Sequence, residues 1–206
     1  MQKQGKRYFY LDWEGVMELL GGLEDDENEW YSAHERTDEV SKFFAGQTPL
    51  AFFPQVSDGV GMVPDLLSQY LYINEDALKT LYTAVKEFQV DGIIMSTTLR
   101  FESHLCALYY KTLFALRGYV LPIIGHTPYC MLETCAFKRS REIDADLEIR
   151  SFNPDVDDFI IIDDMKDMDF SPHHRSHVFN TVYDGNFRKH VLDDSLLGWL
   201  RARYNA

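Results

Sequence analysis

Two adjacent aspartates, Asp163 and Asp164, directly follow the apolar run at residues 159–162, and their types and spacing point to chemistry. A short run rich in β-branched residues is typical of a buried strand. The acids would then lie at the carboxyl end of that strand, which is where open α/β sheets bind ligands. Two carboxylates side by side at such a place suggest a metal site.

Two further apolar runs, at residues 8–11 and 90–95, also end in polar side chains. These are Asp12 and Glu14 after the first run, and Ser96 and Thr97 after the second. The carboxyl ends of parallel strands in a right-handed βαβ sheet lie on one edge. We therefore expect these residues and the two aspartates to form one site, although they are far apart in the sequence.

The elements that must position these residues alternate between strands and helices along the chain. Asn74 is a good N-cap for a first helix, and Gly118 ends a second one. The other predicted elements are a strand at 119–124 that Pro122 interrupts, a helix at 140–149, a strand at 177–182 and a closing helix at 192–204. This alternation predicts an α/β fold, a Rossmann-like three-layer sandwich in which helices cover both faces of a mainly parallel sheet.

Residues 18–72 form a long insertion after the first strand. More than fifty residues are too many for a simple connection, so we expect the segment to carry structure of its own. Its aromatic residues are numerous enough for a packed subelement, and Gly59 and Gly61 would allow motion. We expect this region to decide the substrate.

The bulk composition limits the function. The chain has 206 residues, of which 46% are hydrophobic, which suits one domain with one core. Its net charge of −13 disfavours long nucleic acids, because a field of that sign repels polyanions. We find no apolar stretch that could span a membrane, no signal-peptide pattern and no disulfide framework among the three cysteines. These features favour a cytoplasmic protein.

His173, His174 and His177 present imidazoles at a spacing that would suit zinc or nickel. The run follows Pro172 and precedes a predicted strand. We therefore interpret it as a loop, and not as a helix that presents two ligands one turn apart. The sequence leaves the role of these histidines open.

The ordered set of motifs resembles the haloacid dehalogenase-like (HAD) phosphohydrolases. In that family one apolar strand ends in Asp-x-Asp-Gly, a second ends in Ser or Thr, and a later one ends in paired Asp. The corresponding residues here are Asp12-Trp13-Glu14-Gly15, Ser96 and Asp163-Asp164. Together these motifs span about three quarters of the chain in the expected order.

The chain is most similar to a small branch of that family found in phages, in bacteria and in multi-domain RNA-repair proteins. This branch shares Ser-Thr-x-x-Arg, Gly-x-Thr-Pro and Arg-x-x-Glu-Ile before the paired Asp. The same motifs occur here at residues 96–100, 125–128 and 139–143. The resemblance implies one domain over residues 1–206, with the insertion at 18–72 forming a small cap or substrate loop.

The resemblance also implies catalytic roles. Asp12 would attack phosphorus and form an aspartyl-phosphate, while Glu14 would act as general acid and then as base. Ser96 and a cationic side chain would hold the phosphoryl oxygens. Arg139 is the first choice for that cation, and Lys138 and Arg141 are the alternatives.

Further residues would bind the substrate and the cofactor. The substrate phosphate would contact Ser96, Thr97, Arg100 and Arg139. Mg²⁺ would be held by Asp12, Glu14, Asp163 and Asp164. Asp167, four residues after Asp163, could supply the second acidic role or could be a turn residue that bonds to its own backbone.

Glu14 departs from the family pattern, in which this position is usually Asp. If the backbone is unchanged, its extra methylene moves the carboxyl by more than about an ångström, and misplacement on that scale can cost about a hundredfold in rate. Two functions remain open. One is a Mg²⁺-dependent phosphatase that acts on a small phosphorylated substrate, a nucleotide or a nucleic-acid end. The other is a weakened or inactive binding protein that keeps the HAD fold.

Overall fold

The computed structural model describes residues 5–17, 73–97, 103–130, 136–181 and 191–205. The strands in these ranges are β1 (Arg7–Leu11), β2 (Gly92–Met95), β3 (Ile123–His126), β4 (Asp158–Asp163) and β5 (Val178–Asn180). The α-helices are α1 (Glu75–Glu87), α2 (Ser103–Leu116), α3 (Lys138–Ile149) and α4 (Ser195–Asn205). Short 3₁₀ helices lie at Asp167–Asp169 and Arg175–His177, between β4 and β5.

The five strands form one sheet in the order β3-β2-β1-β4-β5, and every neighbouring pair is parallel. Leu11 is in register with both Met95 and Ile162. The residues that follow these three positions, Asp12, Ser96 and Asp163, therefore lie level with one another at the carboxyl edge. The predicted α/β fold with a parallel sheet is confirmed.

Side chains alternate between the two faces of the sheet, and both faces are buried. On one face, Phe9, Leu11 and Ile162 join a core with the apolar stripes of α1, α2 and α4. On the other face, Tyr10 and Ile161 pack with residues of α3. Because each fully buried apolar side chain contributes about 1.5–3 kcal/mol, these two cores hold the site-bearing edge in place.

The boundaries of several elements differ from the sequence prediction by a few residues, and two of these differences have a clear cause. The strand predicted at 119–124 begins instead at Ile123, because Pro122 has no N–H to donate to a neighbouring strand. Only the carbonyl oxygen of Pro122 forms a hydrogen bond to the sheet, which it accepts from Ile93 N. The closing helix begins at Ser195 and not at 192, since Asp193 Oδ1 accepts the Ser195 N–H and so ends the preceding loop. The Asn74 cap is confirmed, with Oδ1 accepting from Ala77 N at 2.9 Å.

A buried polar contact fixes α3 against the sheet. Asp146 of α3 accepts hydrogen bonds from the Tyr10 hydroxyl at 2.8 Å and from Arg150 Nε at 2.6 Å. Burial, and then the Asp146 carboxylate, raise the pKa of Tyr10, so its hydroxyl stays protonated and donates. The contact sets the position of the helix that also carries Arg139.

Several sequence predictions concern residues outside the described ranges. These are the insertion at 18–72, Arg100 and the last residue of the strand predicted at 177–182. Within the described ranges, no helix combines the length and the apolar character that crossing a bilayer requires.

Candidate active site

Three carboxylates from two neighbouring strands converge at the carboxyl edge of the sheet. Asp12, Asp163 and Asp164 each present an oxygen that lies within 4.8 Å of the other two. Asp12 and Asp163 are buried, and Asp164 is half-buried. Gly15 makes room for this group, because a Cβ at that position would lie 2.5 Å from Asp164 Oδ2. The backbone there also has a φ of +69°, which favours glycine.

Arg139, the second residue of α3, supplies the cation of the site. Its NH2 group lies 3.3 Å from Asp12 Oδ2, and its Nε lies 3.3 Å from Asp163 Oδ2. The alternatives named from the sequence lie elsewhere: Lys138 Nζ sits 4.3 Å above the Tyr129 ring, and Arg141 is exposed. A cation in the first turn of a helix is unfavourable with respect to the helix dipole, so the carboxylates must stabilise it.

Ser96 and Thr97 border the same space and are both fully buried. Ser96 Oγ accepts a hydrogen bond from Arg139 NH1 at 3.4 Å. The Thr97 side chain hydrogen-bonds to the Asp12 carboxylate, whose Oδ1 also accepts from Trp13 N at 2.8 Å. Asp12 is therefore held in one orientation by contacts to both of its oxygens.

The protonation of the acids reflects a local excess of negative charge. Burial and the neighbouring Asp12 raise the pKa of Asp163 well above its ordinary value and raise that of Asp164 to about 6. Burial also raises the pKa of Asp12, although Arg139, the Trp13 N–H and Thr97 act in the opposite direction. Burial would lower the pKa of Arg139, but the Asp163 and Asp12 carboxylates raise it. One guanidinium cannot compensate three carboxylates, so the site favours an additional cation.

The oxygen atoms present suit a hard divalent cation such as Mg²⁺. Asp163 Oδ2 is buried and, despite its approach to Arg139, has no hydrogen-bond partner within the described part of the chain. An orphaned buried carboxylate oxygen is costly unless a cation neutralises it. Asp12, Asp163 and Asp164 therefore fit the ligand set that the sequence predicts.

Glu14, the fourth predicted ligand, lies beside this group but is not one of the three acids whose oxygens cluster. It is half-buried, and its charge helps to raise the pKa of both Asp12 and Asp164. Glu14 is thus close enough to interact with the nucleophile candidate and with the metal-ligand candidates. Asp167 begins the 3₁₀ helix after β4, and its side chain lies outside the described part of the structure.

Two residues near the site have roles that the sequence did not indicate. Trp13 is fully buried and packs on Tyr110 and Phe114 of α2, with ring centroids at 5.2 and 5.9 Å. The large Trp13 ring therefore packs in the core and holds the backbone next to Asp12 in place. Glu142 is also buried, contributes to the raised pKa of Arg139, and accepts the Cys130 N–H at 3.0 Å. The Arg-x-x-Glu spacing at residues 139–142 was the available signal for its role.

The ends of the insertion meet next to this site. Met17 O accepts a hydrogen bond from Asn74 N at 2.8 Å, and Val16 O accepts from Leu192 N at 2.9 Å. Residue 17 follows Gly15 by two positions, and Gly15 contacts Asp164. The segment at 18–72 therefore leaves and rejoins the domain at one point beside the carboxylates.

Residues 8–192 match the model of a family described as the HAD domain in Swiss Army Knife RNA repair proteins. This range contains each of the strand ends that form the site. No curated protein and no solved structure matches the chain significantly.

Proposed function

Because the chain belongs to the HAD domain family of Swiss Army Knife RNA repair proteins, we propose that it is a Mg²⁺-dependent phosphatase that hydrolyses phosphomonoesters. The observation that carries this proposal is the meeting of Asp12, Asp163 and Asp164 with Arg139 at one edge of the sheet. A phosphate ester is anionic and resists attack, so its hydrolysis needs a nucleophile, fixed positive charge and donors for the phosphoryl oxygens. This edge supplies each of these.

Asp12 is the proposed nucleophile. Its Oδ1 is fixed by Trp13 N, and its Oδ2 lies beside Arg139, so a carboxylate oxygen is oriented before the substrate arrives. In the first step a carboxylate oxygen of Asp12 forms a bond to phosphorus while the ester P–O bond breaks. Glu14 gives a proton to the leaving oxygen.

Water completes the reaction. Glu14, now ionised, accepts a proton from the attacking water, whose oxygen forms the new bond to phosphorus as the Asp12–phosphate bond breaks. Free phosphate leaves, and both acids return to their starting states. Ser96 and Arg139, which already touch each other, would hold the non-bridging oxygens throughout.

Asp12, Asp163 and Asp164 would hold Mg²⁺. Glu14, which the sequence also offers as a ligand, is needed as general acid and base and is therefore not given this second role. A bound Mg²⁺ supplies positive charge that offsets the repulsion between the phosphate and the acids. Asp163 is oriented for this role, because its Oδ1 accepts from Met165 N at 2.9 Å while its Oδ2 remains available.

The proposed substrate is a small phosphorylated molecule, a nucleotide or the phosphorylated end of a nucleic acid. The description of the family, which concerns RNA repair proteins, supports the last two. A net charge of −13 favours a substrate that presents one terminal phosphate over an extended polyanion, which the protein would repel along its length. The cytoplasmic location expected from the sequence stays a prediction.

The test is hydrolysis of p-nitrophenyl phosphate and of a panel of mononucleotides and end-phosphorylated oligonucleotides in the presence of Mg²⁺. The Asp12→Asn variant should lose about a thousandfold or more in kcat/KM, because it lacks the nucleophile. EDTA should abolish the activity of the unmodified protein. Asp155→Asn, at an exposed loop position, is the matched control and should keep full activity. Full activity in Asp12→Asn or in EDTA would overturn the mechanism.

Glu14 favours one alternative function, a HAD-fold protein that binds phosphorylated ligands but turns them over slowly or not at all. Its longer side chain places the carboxyl differently from the usual Asp. The same panel separates the two functions. Saturable phosphate binding without turnover by any substrate would favour the binding protein.

A further inference from the structure

A second group of metal-ligating side chains lies outside the carboxylate site. Asp144 of α3 meets His173 and His174, which lie in the turn before β5, and one ligand atom of each lies within 4.8 Å of the others. His173 Nε2 is 3.2 Å from Asp144 Oδ1, and His174 Nε2 is 2.9 Å from the same oxygen. Two imidazole nitrogens thus converge on one carboxylate oxygen.

His174 is the most informative member of this group. It is fully buried, yet both of its ring nitrogens lack a hydrogen-bond partner within the described ranges. Its Nε2 lies 2.9 Å from Asp144 Oδ1. Buried polar atoms are rarely left unsatisfied, and here the unsatisfied nitrogen faces a carboxylate and a second imidazole.

The surroundings of His174 suit a ligand. A neutral imidazole carries a lone pair on one nitrogen, which is the form that binds metals. Asp144 and His173 are both exposed, so the group is open to solvent on one side and an ion has a path to it.

His177, which the sequence grouped with the other two histidines, is used differently. Its ring stacks on Phe159 at a centroid distance of 4.3 Å, and its Nδ1 lies 2.9 Å from the Phe159 carbonyl oxygen. Nδ1 also lies 2.9 Å from Arg203 NH2. His177 therefore packs on Phe159 and contacts α4. The third member of the group is Asp144 of α3 and not His177.

We propose that Asp144, His173 and His174 form a binding site for a zinc-like transition-metal ion. Two imidazoles and one carboxylate are a donor set that Zn²⁺ prefers, with water in the remaining position, whereas Mg²⁺ prefers oxygen ligands alone. Metal–ligand bonds of about 2.0–2.1 Å at tetrahedral angles place ligand atoms about 3.3 Å apart. The observed separations of 3.2 and 2.9 Å are close to that value.

An ion in this site would join two elements that surround the carboxylate site. The turn at residues 171–174 already contacts α3 through the Ser171 N–H, which donates to Ser140 Oγ at 2.9 Å. Ser140 follows Arg139 directly, and Asp144 lies one helical turn further along α3. The metal would therefore tie this part of α3 to the turn, and this structural role does not depend on the proposed phosphatase activity.

The test is titration of Zn²⁺ into the full chain by calorimetry, with excess Mg²⁺ present to occupy the carboxylate site. We expect one Zn²⁺ per chain at this site and a rise in the melting temperature. Asp144→Asn and His173→Ala should each weaken binding by about 100-fold or more, since each removes a ligand. Both positions are exposed, so the variants should fold. Glu148→Gln, an exposed charge change on the same helix, is the matched control and should bind normally.

Two further measurements separate this site from other zinc ligands. Asp163→Asn should retain Zn²⁺ binding, because Asp163 belongs to the other cluster. Co²⁺ in place of Zn²⁺ should give no thiolate charge-transfer absorption, which excludes the cysteines. In the unmodified protein, Zn²⁺ should shift the ¹⁵N resonances of the His173 and His174 rings. Unchanged ring resonances, a thiolate band, or binding that Asp163→Asn abolishes and Asp144→Asn leaves intact would each overturn the proposal.

Discussion

Replacing Asp164 with Asn should stabilise the metal-free protein, although it removes a metal-ligand candidate. Burial and the neighbouring Asp12 raise the pKa of Asp164 from 3.8 to about 6. A carboxyl whose pKa is higher in the folded chain than in the unfolded chain makes folding less favourable as the pH rises between the two values. Stability from this group is therefore fully present below about pH 4 and is lost by about pH 6.

The size of the effect follows from the shift in pKa. The rise in the pKa of Asp164 from 3.8 to about 6 corresponds to about 3 kcal/mol, and the partial solvent exposure of Asp164 reduces this to about 2 kcal/mol. Asn has the same shape but cannot ionise, so it avoids that loss. Asp164→Asn should raise the free energy of unfolding by about 2 kcal/mol at pH 8 and by much less at pH 4. For a chain of this size, 2 kcal/mol is about 6 °C in Tm.

Urea denaturation in EDTA at pH 4 and pH 8 is the assay, with Asp155→Asn as the control for removing one exposed negative charge. In Mg²⁺ the order should reverse, because ligand binding stabilises the unmodified protein more than a variant with one ligand fewer. An Asp164→Asn variant that is less stable than the unmodified protein in EDTA at pH 8 would refute the reasoning. So would a difference that is the same at both pH values.

Two other substitutions test the site and its support. Glu14→Asp should raise kcat/KM toward p-nitrophenyl phosphate by about tenfold to a hundredfold if the extra methylene misplaces the general acid; an equal or lower rate at saturating Mg²⁺ would show that the site is built around Glu. Tyr10→Phe should lower the free energy of unfolding, measured in urea, by about 1.5 kcal/mol, because buried Asp146 loses a donor and keeps only Arg150. An unchanged denaturation midpoint would contradict the importance of that contact.

The strands and their polar ends were predictable because central parallel strands are buried on both faces. Such strands appear in a sequence as short continuous apolar runs, and β1, β2 and β4 all do. Strand order and register could not be derived from the runs themselves. Strand order and register place Asp12, Ser96 and Asp163 level with one another. The handedness of βαβ units predicted only that these strand ends share one edge of the sheet.

The choice among Lys138, Arg139 and Arg141 needed the structure for a different reason. The buried side of α3 includes Arg139, Glu142, Ile143 and Asp146, which follow helical spacing but are mostly charged. Apolar periodicity does not identify such a face, because its charged residues form ion pairs and hydrogen bonds with residues of the sheet and of its carboxyl edge. Sequence patterns therefore indicate the helix but not the side that faces the site.

Asp144 and the histidines illustrate a second limit. The His-His-x-x-His spacing drew attention to His177, whose ring instead packs on Phe159. The partner of His173 and His174 lies about thirty residues earlier, on α3. The spacing of the histidines in the sequence could not reveal their contact with Asp144, because that contact forms only when the turn before β5 folds against α3.

The backbone hydrogen bond between Met17 and Asn74 has a consequence for how this protein can change over time. Since the chain departs and returns at neighbouring points, the enclosed stretch can lengthen, shorten or be exchanged at a small entropic cost, which grows only slowly with loop length. Asp12 and Asp163 need not move when this happens, because β1 and β4 hold them. Selection can therefore act on this stretch without disturbing the positions of the carboxylates.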